Sequence, residues 1–513
     1  MTSLLEIQDR PAGSPLGRTL YHPFTGWAIV IVGIGLRLRR YLQDRGLLHD
    51  DAQLASNIFA RNFAQLLRPL DIGNQAAPVG FLILQKCAAC VFGHGELAIR
   101  LIPFLASALV LPLFFCTIRK TAGQTTALAA TAWLALAEPL VRYSAEGKQY
   151  STDVLWTTVI LALAASAERI AAILVLAIAG DILLWFSHPL LFVLGGIGLT
   201  RIIRHWRQRK YGLARADAAV GVSWLASFAA NYLLISRYYV TNDYLRSYWQ
   251  ELDAFAPVHA TLSAFLWYPR TIAGLFNYPL GIVPDYSSHG PLFVFACRFI
   301  FYAAVVAFVF GCFVMATRSK RVLAYTMFTL LLAMAASALH RYPFSERLTL
   351  FCAPLVVLPF GYAVGPDRWR RSLLSAWARV FVCAVLFVYP VYLQAKYFIH
   401  PEVLYDVKPA INYVKAHWRE GDSLYLHYGS DVLGNYYLNA YPVLIIPREN
   451  LIHGVDPFPG DIPEIEGRNR VWVVFSMGAA KDQPKLEQIL AVRGRLLDHR
   501  QFNGGAADLY DLR

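Results

Sequence analysis

About eleven apolar runs follow one another between residues 27 and 393, and this repetition constrains the fold more than any single motif. An α-helix rises about 1.5 Å per residue, so about 20 apolar residues cross a hydrocarbon core of about 30 Å. Inside lipid every backbone N–H and C=O must find its partner within the chain, which leaves the helix as the solution for such runs. The spans are expected at 27–38 with flanking residues, 97–118, 121–140, 154–167, 170–186, 189–203, 218–235, 292–316, 322–339, 348–364 and 373–393. Composition agrees. Only 16% of residues are charged and 57% are hydrophobic, against about a quarter charged in a soluble domain. The net charge of +13 would point to nucleic acid in a soluble protein. Here the basic residues gather in short loops between apolar runs, the cytoplasmic bias of membrane proteins, so no nucleic-acid partner is expected. The first run is followed by RLRRYLQDR rather than a small-residue cleavage site, so it is read as a retained span.

The segment APVGFLILQKCAACVFG, residues 77–93, is apolar but short, about 25 Å as a helix. If it lies in the outer interface instead of crossing, the basic loops RHWRQRK (204–210), RSKR (318–321) and DRWRR (367–371) all fall on the cytoplasmic side. That choice puts the acid pair Asp50–Asp51, the turn YSAEGKQYSTD, residues 181–188, the loops 39–96 and 236–290, the stretch HRYPFSER and the C-terminus on the outer side. Arg37, Arg39 and Arg40 at the outer end of the first span run against the rule. Between Asp51 and Leu67 a helical stripe of Ala55, Phe59, Phe63, Leu66 and Leu67, interrupted by Leu54 and Ile58, predicts a helix lying in the interface plane. A second such helix begins near Pro78.

The expected organisation is a membrane domain over 1–395 and an extracytoplasmic α/β domain over 396–513. In the latter, GDSLYLHYGS, PVLIIPR and NRVWVVFSMG read as strands, and KPAINYVKAHW and KLEQILAVRGRLL as helices. The seven cysteines suggest no disulfide framework, and Cys87 and Cys90 read as small core residues rather than a metal knuckle. His94, His289 and His427 are too scattered for a metal site, and His188 reads as a cap or loop residue.

Three charged groups fall on the outer side. They are His49–Asp50–Asp51; Glu146, Lys148 and Asp153; and His340, Arg341, Glu346 and Arg347. Ionisable groups at a membrane are costly unless paired or wet, so each is a functional candidate, although each also suits a solvated turn. Asp50 can equally cap the helix that follows it. The aromatic residues of the long loop (Tyr238, Tyr239, Tyr244, Tyr248, Trp249, Trp267 and Tyr268) fit an interfacial belt first and a sugar or carrier contact second. Asp181 lies inside an apolar run, either hydrogen-bonded there or bordering a pocket.

An ordered set of motifs adds to this reading. HDDAQLASN after the first span resembles the acidic first-loop motif of GT-C glycosyltransferases, polytopic enzymes that use polyprenyl-phosphate sugars. PLDIGNQAAPVGFLILQK, GELAIRLIPFLAS, YSAEGKQYSTDVL and RYPFSERLTLFCAP resemble later segments of bacterial relatives of the protein mannosyltransferases. Together they cover the first 355 residues or so. The chain departs from the family in having Asp-Asp where Asp-Glu is usual, and Glu-x-Lys where many relatives carry Arg. The resemblance implies Asp50 as the general base, with Asp51 orienting it or a metal. Glu146 or Asp153 completes the acidic cluster. Arg347, Arg341 and Lys148 hold the donor phosphate, and Gln75 and Tyr342 donate to sugar or phosphate. A divalent cation (Mg, Mn or Ca) is compatible with Asp50, Asp51 and Glu146. The expected function is hexosyl or pentosyl transfer from a polyprenyl-phosphate donor to an extracytoplasmic lipid, glycan or protein, in a bacterial inner membrane. The rival readings are a transporter or flippase of lipid-linked sugars, a polysaccharide ligase or polymerase, and a non-catalytic scaffold.

Overall fold

The computed structural model describes residues 22–258, 261–283, 291–365, 373–401, 406–427, 430–440, 451–453, 465, 467–476 and 483–513. Every expected span is helical. In chain order the helices of the first half are α1 (Pro23–Tyr41), α2 (His49–Ala60), α3 (Val79–Phe92), α4 (Glu96–Ala122), α5 (Gln124–Leu136), α6 (Glu138–Tyr143), α7 (Tyr150–Ser166), α8 (Ile170–Leu183), α9 (Leu190–Arg207) and α10 (Tyr211–Val240). They continue with α11 (Asp243–Glu251), α12 (Leu262–Gly274), α13 (Pro291–Arg318), α14 (Lys320–Ala338), α15 (Ala353–Val364) and α16 (Leu373–Ile399). Six are long and apolar enough to cross a membrane by length and composition: α4, α10, α13, α14, α15 with its preceding 3₁₀ turn, and α16 from Trp377. The other expected spans form helices that are shorter or more polar. The loop DRWRR lies outside the described residues.

The expected span 121–140 is cut in two. The backbone leaves helical geometry at Ala137, and α6 restarts with Pro139 in its first turn, where the missing N–H costs nothing. The cut frees carbonyls at the end of α5, and Arg37 supplies their donors. Its guanidinium gives hydrogen bonds to Leu134 O (2.8 Å), Ala135 O (3.0 Å), Gly33 O (3.0 Å) and Ser107 Oγ (2.7 Å). This residue, which seemed to violate the charge rule, is a buried clasp between α1, α4 and α5. Arg39 likewise reaches the carbonyls of Tyr397 and Phe398 at the end of α16.

The loops sort to two ends. At one, Glu168 joins Arg204 (3.1 Å) and Arg321 (2.5 Å), which brings together two of the three basic loops expected to share a side. The opposite end carries α2, α3, α11 and the C-terminal sheet. There the structure corrects the interfacial-helix expectation. Helix α2 ends at Ala60, and its apolar side packs within the protein. Ala52, Leu54, Ala55 and Ile58 are buried in one cluster with Leu433, Tyr436 and Tyr437 of α18 (Asp431–Ala440). Leu54 and Ile58, which broke the expected stripe, are core residues because a second layer covers them, while Phe63 and Leu67 are exposed. Cys87 and Cys90 are also exposed, since α3 is covered on one face only; all seven cysteines are free.

The C-terminal region begins with α17 (Lys408–His417) and holds one sheet, ordered β2-β1-β3-β5-β4. Strands β1 (Ser423–Leu426) and β3 (Val471–Ser476) lie where expected and pair in parallel, as do β1 and β2 (Leu451–His453). The expected strand PVLIIPR lies outside the described residues. The expected helix through Leu497 is corrected. Helix α19 (Gln483–Arg493) stops before Gly494, and an antiparallel hairpin follows, β4 (Arg495–Phe502) and β5 (Gly505–Asp511). Its two-residue Asn503–Gly504 connection is a strong hairpin signal in the sequence.

Because Arg37 is 1% exposed and serves four acceptors, Arg37→Ala is expected to cost at least about 3 kcal/mol. The check is the thermal unfolding midpoint in detergent, which should fall well below that of wild type and of the exposed control Arg207→Ala.

Candidate active site at one end of the helix bundle

Helix α2 decides the geometry. Its N-cap is Leu48, with no side-chain cap bond, so Asp50 is not the cap. Asp50 and Asp51 instead occupy the first turn, where the helix dipole favours acids. Successive helical residues point about 100° apart and do not share a face. Adjacent in sequence, the two carboxylates are therefore separated in space. Asp50 opens into a cavity of about 470 Å³; Asp51 turns beneath it and is 2% exposed.

The cavity collects six of the nine sequence candidates: Asp50, Gln75, Lys148, Arg341, Tyr342 and Arg347. Arg347 Nη2 lies 3.3 Å from Asp50 Oδ2, and its guanidinium sits 5.3 Å from the centre of the Trp249 ring. Lys148 donates to Gln75 Oε1, and Gln75 Nε2 donates to Gln53 Oε1 (2.6 Å) and Gly73 O (2.9 Å). Tyr342 is anchored through its hydroxyl to Leu348 O (2.8 Å) and packs edge-on to Phe192. Arg341 is exposed at the rim.

The other three candidates lie outside the cavity lining. Asp51 underlies the Glu146–Lys148 turn and accepts from the Gly147 N–H. Burial first, and the Glu146 charge second, push its carboxyl up to about 6, against the pull of Lys148, Gly147 and Arg45. Glu146 is 3% exposed and bound to Arg142 at 2.9 Å, one turn before it. Asp153 is buried in the first turn of α7. Burial lowers the Lys148 ammonium from its usual range, opposed by Asp50 and Asp51.

Asp50 is committed to Arg347, Glu146 to Arg142, and Asp51 faces a backbone amide. Among the described residues no three His, Cys, Asp or Glu side chains converge as a cation site. The three carboxylates do not fit the role proposed for them.

Several lining residues were not selected from the sequence. His188 is a wall residue, bonded through Nε2 to Ser236 Oγ (3.3 Å), and burial pushes its imidazole down to about 4. Four of the loop aromatics, Tyr239, Tyr244, Tyr248 and Trp249, line the cavity, while Trp267 and Tyr268 do not. The signal was available: Tyr244, Leu245, Tyr248 and Trp249 recur at helical spacing, and Asn242 caps α11 by accepting from Leu245 N (3.1 Å). His340 stacks on Phe255 at the cavity edge. Asp181 lies between α8 and α10, where its carbonyl accepts from Ser227 Oγ (2.8 Å), and is not part of the lining. His94 stacks on Phe59; His289 lies outside the described residues.

With this arrangement in view, known structures were compared. ArnT from Cupriavidus metallidurans in the apo state superimposes over 95% of this chain and 98% of its own, with a TM-score of 0.54 at 13% identity. The same enzyme bound to undecaprenyl phosphate covers 94% and 98%, with 0.52 at 14% identity. The oligosaccharyltransferase of Archaeoglobus fulgidus in complex with Zn and sulfate covers 95% and 73%, with 0.50 at 10% identity. This chain has the fold of ArnT. No family model matches it, and no curated relative does. The likeness is of fold alone, and it extends over nearly the whole chain.

The Asp51 carboxyl gives a pH prediction. In the unfolded chain it releases its proton near 3.8, and in the native protein near 6. Between those values the native state binds more protons, so the contribution of Asp51 to stability falls as pH rises and is constant above about 6. Asp51→Asn removes this loss and keeps an acceptor for Gly147. The variant should match wild type near pH 4 and exceed it at pH 7 by ~3 kcal/mol, measured as the difference in unfolding free energy. Equal destabilisation at both pH values would contradict the assignment.

Proposed function

We propose that the protein is an integral membrane glycosyltransferase that moves a sugar from a polyprenyl-phosphate carrier to an acceptor hydroxyl. The observation that carries this reading is Asp50, beside Arg347 and Lys148, in a cavity at the end of a GT-C bundle. The cavity end faces outward in the bacterial inner membrane, consistent with the basic loops gathering at the other end. A neighbour of the same fold was solved with undecaprenyl phosphate bound, which supports a lipid-phosphate donor here.

The chemistry follows from the geometry. The carrier's tail stays in lipid while its phosphate enters the cavity. Arg347 and Lys148 meet the phosphate oxygens, Arg347 with its fixed fork of donors. Arg341 at the rim adds attraction. As the acceptor oxygen bonds to the anomeric carbon, Asp50 takes its proton and the bond to the phosphate oxygen breaks. The same cations stabilise the negative charge that grows on the leaving phosphate. One displacement inverts the anomeric centre. Trp249 holds the Arg347 guanidinium by a cation–π contact. Asp51 positions the Glu146–Lys148 turn rather than sharing the proton. A flippase would be expected to gather its ionisable groups at mid-height between half-helices; the cavity's place at the bundle end favours transfer.

The test is radiolabelled transfer by purified protein from a panel of polyprenyl-monophosphate sugars. Asp50→Asn should lower turnover by about two to four orders of magnitude. Arg347→Ala should lower it by roughly two to three orders, the scale of losing one donor to developing charge. Transfer by Asp50→Asn within a few-fold of wild type would remove the base; carrier translocation without transfer by the wild type would support the flippase.

A further inference from the structure

The segment that leads into α2 is held from the C-terminal region. Gly46 N donates to Asp406 Oδ2 (2.8 Å), and Leu47 N donates to the Tyr437 hydroxyl (2.6 Å). That hydroxyl in turn donates to Glu96 Oε1 (2.8 Å) at the start of α4. Lys408 closes the circuit, reaching Glu96 Oε2 (3.0 Å) and Asp44 Oδ1 (2.6 Å). From the membrane side Arg100 holds the same strand, donating to Arg45 O (2.8 Å) and Gly46 O (2.9 Å). Arg45 passes the contact on, donating to Ala145 O (2.8 Å) just before the Glu146–Lys148 turn. Residues 44–47 thus lie between two sets of donors and acceptors, three residues ahead of Asp50. A Cβ at Gly46 would collide with the Asp406 carboxylate and crowd the Tyr437 hydroxyl, so both contacts would have to shift.

We propose that the C-terminal region is a positioning element for the cavity, and that Tyr437 is its principal positioning residue. Its hydroxyl uses both hydrogen-bonding roles at once, as acceptor from the backbone that starts α2 and as donor to the carboxylate that starts α4. Removing it frees Leu47 N and one Glu96 oxygen together, in a site where Tyr437 is 1% exposed and water has no access. Asp50 projects from the first turn of the helix this backbone launches, so loosening residues 46–48 displaces its carboxylate relative to Arg347. Displacements of about 1 Å are enough to cost about a hundredfold in rate. Tyr437 touches neither cavity nor reacting atoms; it acts through α2. The inference rests on the glycosyl-transfer reading for its kinetic arm only.

The experiment compares Tyr437→Phe, Gly46→Ala and a control, Tyr413→Phe, in the full-length protein. Tyr413 also loses one hydroxyl bond in the same region, to Asp498 Oδ2, away from α2. Two readouts are needed: amide hydrogen exchange over residues 46–53, and kcat and KM with an undecaprenyl-phosphate hexose. The expected result is exchange at least about tenfold faster over 46–53 in both test variants and unchanged in the control. In Tyr437→Phe, kcat should fall at least about tenfold with KM within about threefold, because the phosphate-binding cations stay in place. Wild-type exchange over 46–53, equal changes in Tyr413→Phe, or a loss confined to KM overturns the proposal. Faster exchange in a protein that transfers no sugar from the probe leaves the clamp standing and counts against the glycosyl-transfer reading. If Tyr437→Phe does not fold, Gly46→Ala decides the same question by both readouts.

Discussion

The 3.3 Å contact between Asp50 and Arg347 joins the first loop at the cavity end of the bundle to the last one there. Nothing in the chain between these residues makes them neighbours except the packing of the helices that separate them. Arg347 reaches the cavity from the 3₁₀ turn that starts the crossing at Glu346, and Asp50 from the first turn of α2. Their meeting requires that α2 be held over the bundle mouth, that the Glu146–Lys148 turn lie below it, and that α11 bring Trp249 against the guanidinium. The rest of the site can be read as what these requirements demand.

Low polarity explains why so many cations do structural work. A helix end buried without donors leaves carbonyls that neither water nor lipid can satisfy. Arg37 answers this at the break after α5 and Arg45 at Ala145, after α6; Arg100 does the same for the carbonyls of Arg45 and Gly46 in the extended segment before α2. Charge counting along the sequence treats all basic residues alike. The structure separates those that satisfy carbonyls inside the protein from Arg204 and Arg321, which gather around Glu168 at the other end.

The membrane part of the fold was legible because hydropathy is a direct physical record of the solvent. All the expected spans form helix over most of their length, and the one at 121–140 is interrupted at Gly123 and again at Ala137. The site was legible in part. Six of nine candidates reach one cavity, because charged residues at the ends of apolar runs have few other places to go. The failures have common causes. Asp51 was paired with Asp50 by adjacency, which a helix undoes. Glu146 was assigned to the acid cluster without its own i,i+4 partner Arg142. The apolar stripe of α2 was given to lipid because a sequence does not say that a distant sheet-containing region will cover it. The hairpin after Arg493 was missed although Asn503–Gly504 marked it.

The account stands on one claim of place: a lipid-linked phosphate sits between Lys148 and Arg347 with the open side of Asp50 facing the sugar. The most direct measurement is an experimental structure in a lipid nanodisc with undecaprenyl phosphate added. The account predicts phosphate density within hydrogen-bonding distance, about 3 Å, of the Arg347 guanidinium, with the chain leaving the cavity toward lipid. Phosphate bound at mid-height between the helices, with this cavity empty, would contradict it.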